Sequence, residues 1–337
     1  MKHKPEVLVK IRDLEVLYRT RAGMVSAISQ VSFDIYRGEI LGLVGESGCG
    51  KSTLGKAILR MLPPTSKIRG KIIFDGEDVL VYNEGQLRDF RGRRVSMIFQ
   101  DPFTSLNPVQ RIDDHLVEAI QVHESQVERP SALERIARLV ERLGIERRRL
   151  RDYPHQFSGG MRQRVMIGLG LILNPDLIIA DEATTSLDVI VEAKLLDQLR
   201  EIRDEFGVTI LVITHNIALV AEIADRVAVM YAGKIVEIGS CERIFDDPLH
   251  PYTQGLMQSV PSIRLDEQEL LFKMPGEPPD LSNPPTGCRF HPRCPWEMPI
   301  CSRYAPELME VAPQRWVHCW LFQDHPEKDK ETIKVFK

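Results

Sequence analysis

The sequence predicts an α/β fold built around a mostly parallel β-sheet. Residues Ile40–Val44 form a continuous apolar run that ends in a glycine-rich turn, which is typical of a strand buried on both faces. Three more apolar runs of strand length follow later, and runs of helical length separate them. They are Leu177–Ala180, Thr209–Ile213 and Val227–Met230. Strands that alternate with helices favour a parallel sheet.

The remaining elements are predicted from their periodicity. Residues 7–18 alternate between apolar and polar side chains, which indicates an edge strand, and Val31–Ile35 and Lys71–Phe74 indicate two more strands. A helix is expected over Thr53–Leu62, where Pro63 and Pro64 stop it. Helical periodicity within 110–153 predicts a separate helical lobe over about 95–160.

The overall composition limits the function classes. The chain has 337 residues, of which 43% are apolar and 27% charged, and its net charge is −4, so it lacks the basic excess typical of nucleic-acid binding. No apolar stretch approaches the roughly 20 residues that cross a bilayer, and the N-terminus does not have the pattern of a targeting segment. We therefore expect a membrane role only through partner subunits.

The character of the sequence changes after about residue 245. Prolines accumulate and periodicity fades over 245–285, which predicts a linker leading to a small cysteine-bearing module. The predicted domains are therefore 1–245 and 246–337.

A phosphate-binding loop (P-loop) follows the first buried strand. Residues 45–52 fit G-x-x-x-x-G-K-[ST] between a strand and a helix, so backbone N–H groups and the helix N-terminus are expected to surround the phosphates of ATP. Lys51 is expected to reach the β- and γ-phosphates and Ser52 to ligate Mg²⁺. Cys49 is expected to be a small filler exposed to thiol reagents. The predicted nucleotide contacts are Gly45, Glu46, Ser47, Gly48, Cys49, Gly50, Lys51, Ser52 and Thr53.

An acidic pair ends the strand at Leu177–Ala180. Asp181 at the tip of the strand is placed to hold Mg²⁺, directly or through water, and Glu182 to polarise the attacking water as general base. An acidic pair alone is more often a helix start, but a P-loop in the same sheet favours the catalytic interpretation.

Further motifs resemble ABC-type ATPases over residues 1–245. Phe157-Ser-Gly-Gly-Met-Arg-Gln163 is similar to the LSGGQ signature, and Met97-Ile-Phe-Gln-Asp-Pro102 to the Q-loop. Ser186-Leu-Asp188 resembles the D-loop, and Thr214-His-Asn216 the switch histidine. The resemblance implies a P-loop ATPase fold with a mixed sheet core, an antiparallel β subdomain and a helical subdomain.

This resemblance also implies roles for individual residues. Ser158, Gly159 and Gly160 would contact the γ-phosphate held by a partner ATPase, and Asp188 would also lie at the nucleotide. Gln100 would sense the γ-phosphate and Mg²⁺, while His215 would contact the γ-phosphate and position the water. Tyr18 lies about where the adenine-stacking aromatic is found; packing against its strand neighbours is the alternative.

The sequence departs from the family pattern at two positions. Met161 replaces the glutamine of the signature, which suggests a second, non-identical ATPase subunit as partner. Ala183 stands where proline is usual, although Asp181 and Glu182 are intact.

Four cysteines crowd the last 50 residues: Cys288, Cys294, Cys301 and Cys319. In a reducing compartment such a cluster indicates a metal centre rather than disulfides, and thiolates can hold either zinc or an iron–sulfur cluster. The tail resembles that of the ATP-binding subunits of dipeptide and oligopeptide importers, and so do residues 99–108, 157–165 and His250-Pro-Tyr-Thr253. In these subunits, a tail of this kind implies a [4Fe-4S] cluster.

The peptide-importer resemblance implies two transmembrane permease subunits, a substrate-binding protein and a location on the cytoplasmic face of the membrane. Sugar oligomers and nickel chelates are alternative cargoes, and a soluble ABC ATPase without a transport role is the rival class. The basic run at Arg147–Arg149 and Arg151 is either a contact for anionic lipid or the transmembrane partner or, more commonly for such runs, a solvated helix end.

Overall fold

The computed structural model describes residues 5–21, 23–98, 106–182, 189–259 and 274–325, and residues 189–196 by their backbone alone. We call residues 274–325 the C-terminal segment. Within the chain, Met1–Leu80 and Ile213–Lys337 form a first unit, and Val81–Val212 form a second.

The described elements alternate between strands and helices along most of the chain. The strands are β1 (Val7–Thr20), β2 (Gly23–Tyr36), β3 (Ile40–Val44), β4 (Ser66–Phe74), β5 (Glu77–Asp78), β6 (Val95–Ile98), β7 (Leu177–Asp181), β8 (Thr209–Thr214), β9 (Arg226–Tyr231), β10 (Lys234–Ser240), β11 (Met309–Ala312) and β12 (Arg315–Val317). The helices are α1 (Lys51–Ile58), α2 (Glu84–Arg93), α3 (Ile112–His123), α4 (Arg129–Arg142), α5 (Gly159–Leu171), α6 (Val189–Phe206), α7 (Ile217–Ile223), α8 (Cys241–Asp246), α9 (Pro251–Gln258) and α10 (Pro299–Arg303).

The first unit contains a four-stranded antiparallel sheet in the order β2-β1-β4-β5. The strand predicted over 7–18 is confirmed, because Val9 and Ile11 in β1 are buried while Lys10 between them is exposed. Its expected position at a sheet edge is wrong, because β1 lies between β2 and β4. β1 pairs with β2 and with β4, and Tyr18 lies opposite Val25 and Ser66.

A mixed sheet forms the centre of the first unit. β3 pairs in parallel with β9, and β9 pairs antiparallel with β10. The C-terminal segment extends this sheet, since β12 pairs with β10 and places Val317 opposite Glu237. Every residue of β3 and β9 is buried, as the continuous apolar run predicts.

The stretch after residue 240 is more ordered than its prolines suggest. Residues 241–258, part of which fell in the predicted linker, contain α8 and α9. Pro251 is the first residue of α9, a position where the fixed φ of proline fits and its missing N–H is not needed. Here the proline starts a helix instead of marking a linker.

The second unit pairs β6 with β7 in parallel and is otherwise largely helical. α4 buries the face that includes Ile136, Leu139 and Val140, which confirms the helical periodicity. No described helix of either unit is long and apolar enough to cross a membrane.

Candidate active site

The P-loop begins directly after β3, and two glycines make its path possible. Gly45 has φ +155°, and a Cβ there would lie 2.1 Å from the Met230 carbonyl oxygen. Gly50 has φ +110° and precedes α1, and a Cβ there would lie 2.4 Å from the Ala27 carbonyl oxygen. Only glycine fits at these two close backbone approaches.

Lys51, near the end of the P-loop, contacts the backbone at the start of the loop. Its ammonium group donates hydrogen bonds to the carbonyl oxygens of Gly45 at 2.8 Å and Glu46 at 3.0 Å, and the side chain is buried. Cys49 is also buried, and burial raises the pKa of its thiol, with Lys51 opposing the rise. The prediction that Cys49 is exposed to thiol reagents is therefore wrong, because the loop folds over it.

The turn between β9 and β10 supports the P-loop from the other side. Ala232 and Gly233 both have positive φ in this turn. Gly233 donates its N–H to the Cys49 carbonyl oxygen at 2.8 Å and accepts from the Ser29 N–H at 2.9 Å. The turn therefore connects the loop to β2.

Glu46, the second residue of the loop, is held by groups far away in the sequence. Its N–H donates to the Tyr252 hydroxyl at 3.0 Å. Its carboxylate accepts two hydrogen bonds from the Arg293 guanidinium, at 2.8 and 3.0 Å. Arg293 also donates to the hydroxyl of Tyr231 at 3.3 Å and to the Pro275 carbonyl oxygen at 2.8 Å.

Two other predicted nucleotide contacts lie in the first unit. The Tyr18 hydroxyl donates to Thr53 Oγ1 at 3.3 Å, which connects β1 to the first turn of α1. His215 is exposed in the short connection between β8 and α7, where the Asn216 N–H donates to Thr214 Oγ1.

The acidic pair lies in the second unit. Asp181 is the last residue of β7 and is buried, while Leu177–Ala180 before it are buried throughout. Glu182 follows with φ +45°, a left-handed conformation that is uncommon outside glycine. The strand thus ends in a carboxylate as predicted, and the chain turns sharply at the proposed general base. Ala183 lies outside the described residues.

The signature residues form the start of α5 in the second unit. Ser158 is the exposed N-cap, and its hydroxyl accepts from the Met161 N–H at 3.4 Å. A Cβ at Gly159 or Gly160 would meet no atom within 4 Å. The space beside both glycines is therefore open, at a helix N-terminus that carries partial positive charge. Gln100 and Asp188 lie outside the described residues.

The basic run precedes this helix and is largely paired within the chain. Arg147 contacts Glu134 at 2.8 Å, Arg148 contacts Glu146 at 2.5 Å, and Arg149 contacts Asp152 at 2.5 Å. Such surface pairs are compatible with a solvated helix end, and the contact for a membrane partner stays a prediction.

The four cysteines of the C-terminal segment are mostly buried and are free thiols. Burial raises the pKa of each thiol, to about 11 for Cys288 and about 12 for Cys294. The backbone N–H two residues further along opposes this rise at Cys288, Cys294 and Cys319. The described part of the chain has no group of three or more Cys, His, Asp or Glu side chains arranged to hold a metal ion.

Comparison with known proteins identifies the family. Residues 28–185 match the ABC transporter family, and residues 236–301 match the oligopeptide/dipeptide transporter C-terminal region. The dipeptide transport ATP-binding protein DppD of Bacillus subtilis (strain 168) is 45% identical over 320 residues, 94% of this chain and 95% of that protein. The chain belongs to the ATP-binding subunits of dipeptide and oligopeptide ABC transporters. Like other ABC ATPases, it hydrolyses ATP.

Solved structures support the fold of this ABC ATPase. The structure of cbiO1 from Clostridium perfringens, part of an ABC transporter complex, has a TM-score of 0.63 at 27% identity and covers 72% of this chain and 92% of its own. The dimeric cassette MJ0796 bound to ADP and Pi has a TM-score of 0.59 at 26% identity, and the match covers 69% of this chain and 99% of that one. The predicted P-loop ATPase fold with a mixed sheet is thereby confirmed.

Sequence reasoning did not find three side chains that contact the loop or its partners. These are Tyr231, Tyr252 and Arg293, which lie 185, 206 and 247 residues after Glu46 in the sequence. No local periodicity reveals such distant pairs. The only signal was the resemblance of 250–253 and of the cysteine-rich tail to peptide-importer subunits, which marked both regions without assigning contacts.

Proposed function

We propose that this subunit powers the uptake of dipeptides or oligopeptides across the cytoplasmic membrane. The match of residues 236–301 to the oligopeptide/dipeptide transporter C-terminal region carries this proposal. The match to the ABC transporter family over residues 28–185 indicates an ATPase but does not specify a cargo. The similarity to DppD over 94% of the chain supports the same cargo class. Sugar oligomers and nickel chelates are the alternative cargoes.

The P-loop would bind Mg-ATP through its N–H groups. Lys51 would move from the carbonyls of Gly45 and Glu46 to the β- and γ-phosphates, and Ser52 and Asp181 would hold Mg²⁺. Glu182 would accept a proton from the attacking water, and His215 would position that water. Tyr18, Gln100 and Asp188 complete the proposed set of nucleotide contacts.

A second ATPase subunit would complete the site. The open N-terminus of α5 suits an anion, so Ser158, Gly159 and Gly160 would contact the γ-phosphate held by the partner subunit. Met161 at the signature favours a partner with a different sequence. Two permease subunits and a substrate-binding protein would form the rest of the complex, with this chain on the cytoplasmic face of the membrane.

Replacing the general base tests this assignment. In the assembled complex, with the matching glutamate of the partner ATPase also changed, Glu182→Gln should retain Mg-ATP binding and lower kcat about 100-fold or more. Uptake of radiolabelled dipeptides into proteoliposomes should fall in parallel. Lys51→Ala is the control that loses binding itself. Undiminished hydrolysis in the Glu182→Gln complex would refute the role of Glu182, and uptake of a nickel chelate but not of peptides would refute the cargo.

We further propose that Cys288, Cys294, Cys301 and Cys319 hold a [4Fe-4S] cluster, with zinc as the alternative. The number of thiols and the backbone N–H groups directed at them suit cluster sulfur ligands. In the described part of the chain the four thiols do not form a compact ligand set, so they would have to draw together around either metal centre. When bound, the cluster would join four positions that are separated in the sequence of the C-terminal segment.

Metal analysis separates the alternatives. After anaerobic purification, about four irons and four sulfides per chain would support the cluster. Zinc without sulfide would overturn it in favour of a zinc site, and a metal-free protein would refute both. Cys241→Ser is a matched control, because Cys241 lies in α8 outside the four-cysteine group.

A further inference from the structure

The Glu46–Arg293 ion pair joins the P-loop to the C-terminal segment across 247 residues of sequence. The Arg293 side chain is only 6% exposed, and its two hydrogen bonds to Glu46 have the parallel geometry typical of a strong arginine–carboxylate pair. Arg293 stands next to Cys294, so the contact comes from the cysteine-bearing part of the segment.

Residue 46 is fixed at three points. Tyr252 accepts its N–H, Lys51 donates to its carbonyl, and Arg293 binds its carboxylate. Such a residue has little freedom left, and a loop that is already ordered loses less entropy when it binds the phosphates.

The aromatic side chains behind this contact fix Arg293 and Tyr252 in turn. The Tyr231 and Tyr252 rings have centroids 4.6 Å apart, and Phe290 of the C-terminal segment packs edge-on against both, at 5.1 and 5.5 Å. Tyr252 and Phe290 are almost fully buried. Movement of the segment would therefore move the partners of Glu46.

A second contact reaches the other end of the loop. Arg289 donates hydrogen bonds to the Ala232 carbonyl oxygen and to Ser26 Oγ. Ala232 precedes Gly233, whose N–H holds the Cys49 carbonyl. The C-terminal segment thus supports the P-loop near both Glu46 and Cys49.

Charge gives Arg293 a role beyond mechanical support. Glu46 places a carboxylate in a loop that must bind an anionic triphosphate. Arg293 neutralises that carboxylate, so losing the arginine would leave a partly buried negative charge that repels the phosphates. Losing the carboxylate instead would leave a positive charge that attracts them.

We infer that Arg293 is a positioning residue for Mg-ATP, which acts through Glu46 chiefly by neutralising the carboxylate within the P-loop, with ordering of the loop as a smaller contribution. The inference rests on the proposed phosphate site at the P-loop and makes the C-terminal segment a working part of that site. It predicts that loss of Arg293 weakens Mg-ATP binding more than loss of the Glu46 carboxylate does. A purely structural ion pair would not show this difference between its two partners.

The test compares Mg-ATP dissociation constants of full-length variants, measured by competition with a fluorescent ATP analogue. Arg293→Ala should weaken binding by about tenfold, whereas Glu46→Gln should bind within about twofold of the wild type. The double variant should regain most of the affinity lost in Arg293→Ala. Arg293→Lys, which keeps the charge but not the paired geometry, should fall between the wild type and Arg293→Ala.

Arg315 supplies the matched control. Its side chain is also 6% exposed, and it pairs with Glu237 and Asp247 in the same unit without contacting the P-loop. Arg315→Ala should lower the thermal midpoint of unfolding but leave the Mg-ATP dissociation constant unchanged in the folded protein.

Three results would overturn the inference: Arg293→Ala binding as the wild type does, the double variant binding no better than Arg293→Ala, or Arg315→Ala losing as much affinity as Arg293→Ala. Lys51→Ala is measured alongside them. If Lys51→Ala binds Mg-ATP normally, the proposed phosphate site itself is wrong. If Lys51→Ala loses binding while Arg293→Ala does not, only the role of Arg293 fails.

Discussion

The P-loop and the C-terminal segment reach their conformations by different means. The conformation of the P-loop depends on close backbone contacts. Gly45 and Gly50 lie where any Cβ would collide with a carbonyl oxygen. The C-terminal segment contains only short helices and strands and is held by buried side chains, among them Phe290, Arg293 and Arg315. The difference shows that a motif whose shape is local can still take its rigidity from a distant region with little regular structure.

The largest expected effect is on the backbone side of this comparison. Gly45→Ala places a methyl group 2.1 Å from the Met230 carbonyl oxygen and should lower the free energy of unfolding by more than about 3 kcal/mol. Gly48→Ala is the matched control. Its φ is +78° but no atom lies within 4 Å, so only backbone strain of about 1 kcal/mol is expected.

Urea unfolding of both variants measures this difference. Equal losses of stability at the two positions would show that left-handed φ, and not the approach of β9 to the loop, sets the requirement for glycine.

The pH dependence of stability tests the buried side chains that hold the C-terminal segment, because His250 packs against Phe290 of that segment. Burial, together with the neighbouring His318, lowers the pKa of His250 to about 3. The imidazole is thus neutral in the folded protein, while it titrates near 6.5 when unfolded. Its contribution to stability is complete above about pH 6.5 and is lost as the pH falls toward 3, by about 1.4 kcal/mol per pH unit.

His250→Asn keeps an acceptor for the Tyr252 N–H but removes the titrating group. Between pH 7 and 5 the wild type should lose about 2 kcal/mol more stability than this variant. All three tryptophans lie in the C-terminal segment, at 296, 316 and 320, so their fluorescence follows the relevant region. The same pH dependence in both proteins would show that His250 does not limit acid stability.

A smaller effect is expected where the two regions meet. Tyr252→Phe keeps the ring but leaves the Glu46 N–H without its acceptor, so Mg-ATP affinity should fall about fivefold. Tyr304→Phe in the exposed part of the C-terminal segment is the control and should bind as the wild type does. Unchanged affinity in Tyr252→Phe would mean that water replaces the hydroxyl at no cost to the loop.

The sequence predicted one of these regions much better than the other. The buried strand β3, the P-loop, the acidic end of β7 and the Ser158 helix start were all evident, because each depends on neighbouring residues. The contacts of the C-terminal segment were not evident, because the Arg293–Glu46 ion pair and the pairing of β12 with β10 join residues far apart in the sequence. Prolines were also misleading before this segment, because Pro251 begins α9 in the predicted linker.

Hydrogen–deuterium exchange of the wild-type chain, with and without Mg-ATP, tests most directly whether the C-terminal segment is part of the nucleotide site. We expect Mg-ATP to slow amide exchange in the P-loop at 45–53 and also at 288–294, where Arg289 and Arg293 contact the loop and its supporting turn. Protection confined to 45–53, with exchange at 288–294 unchanged, would contradict the account and leave the segment as an independent part of the protein.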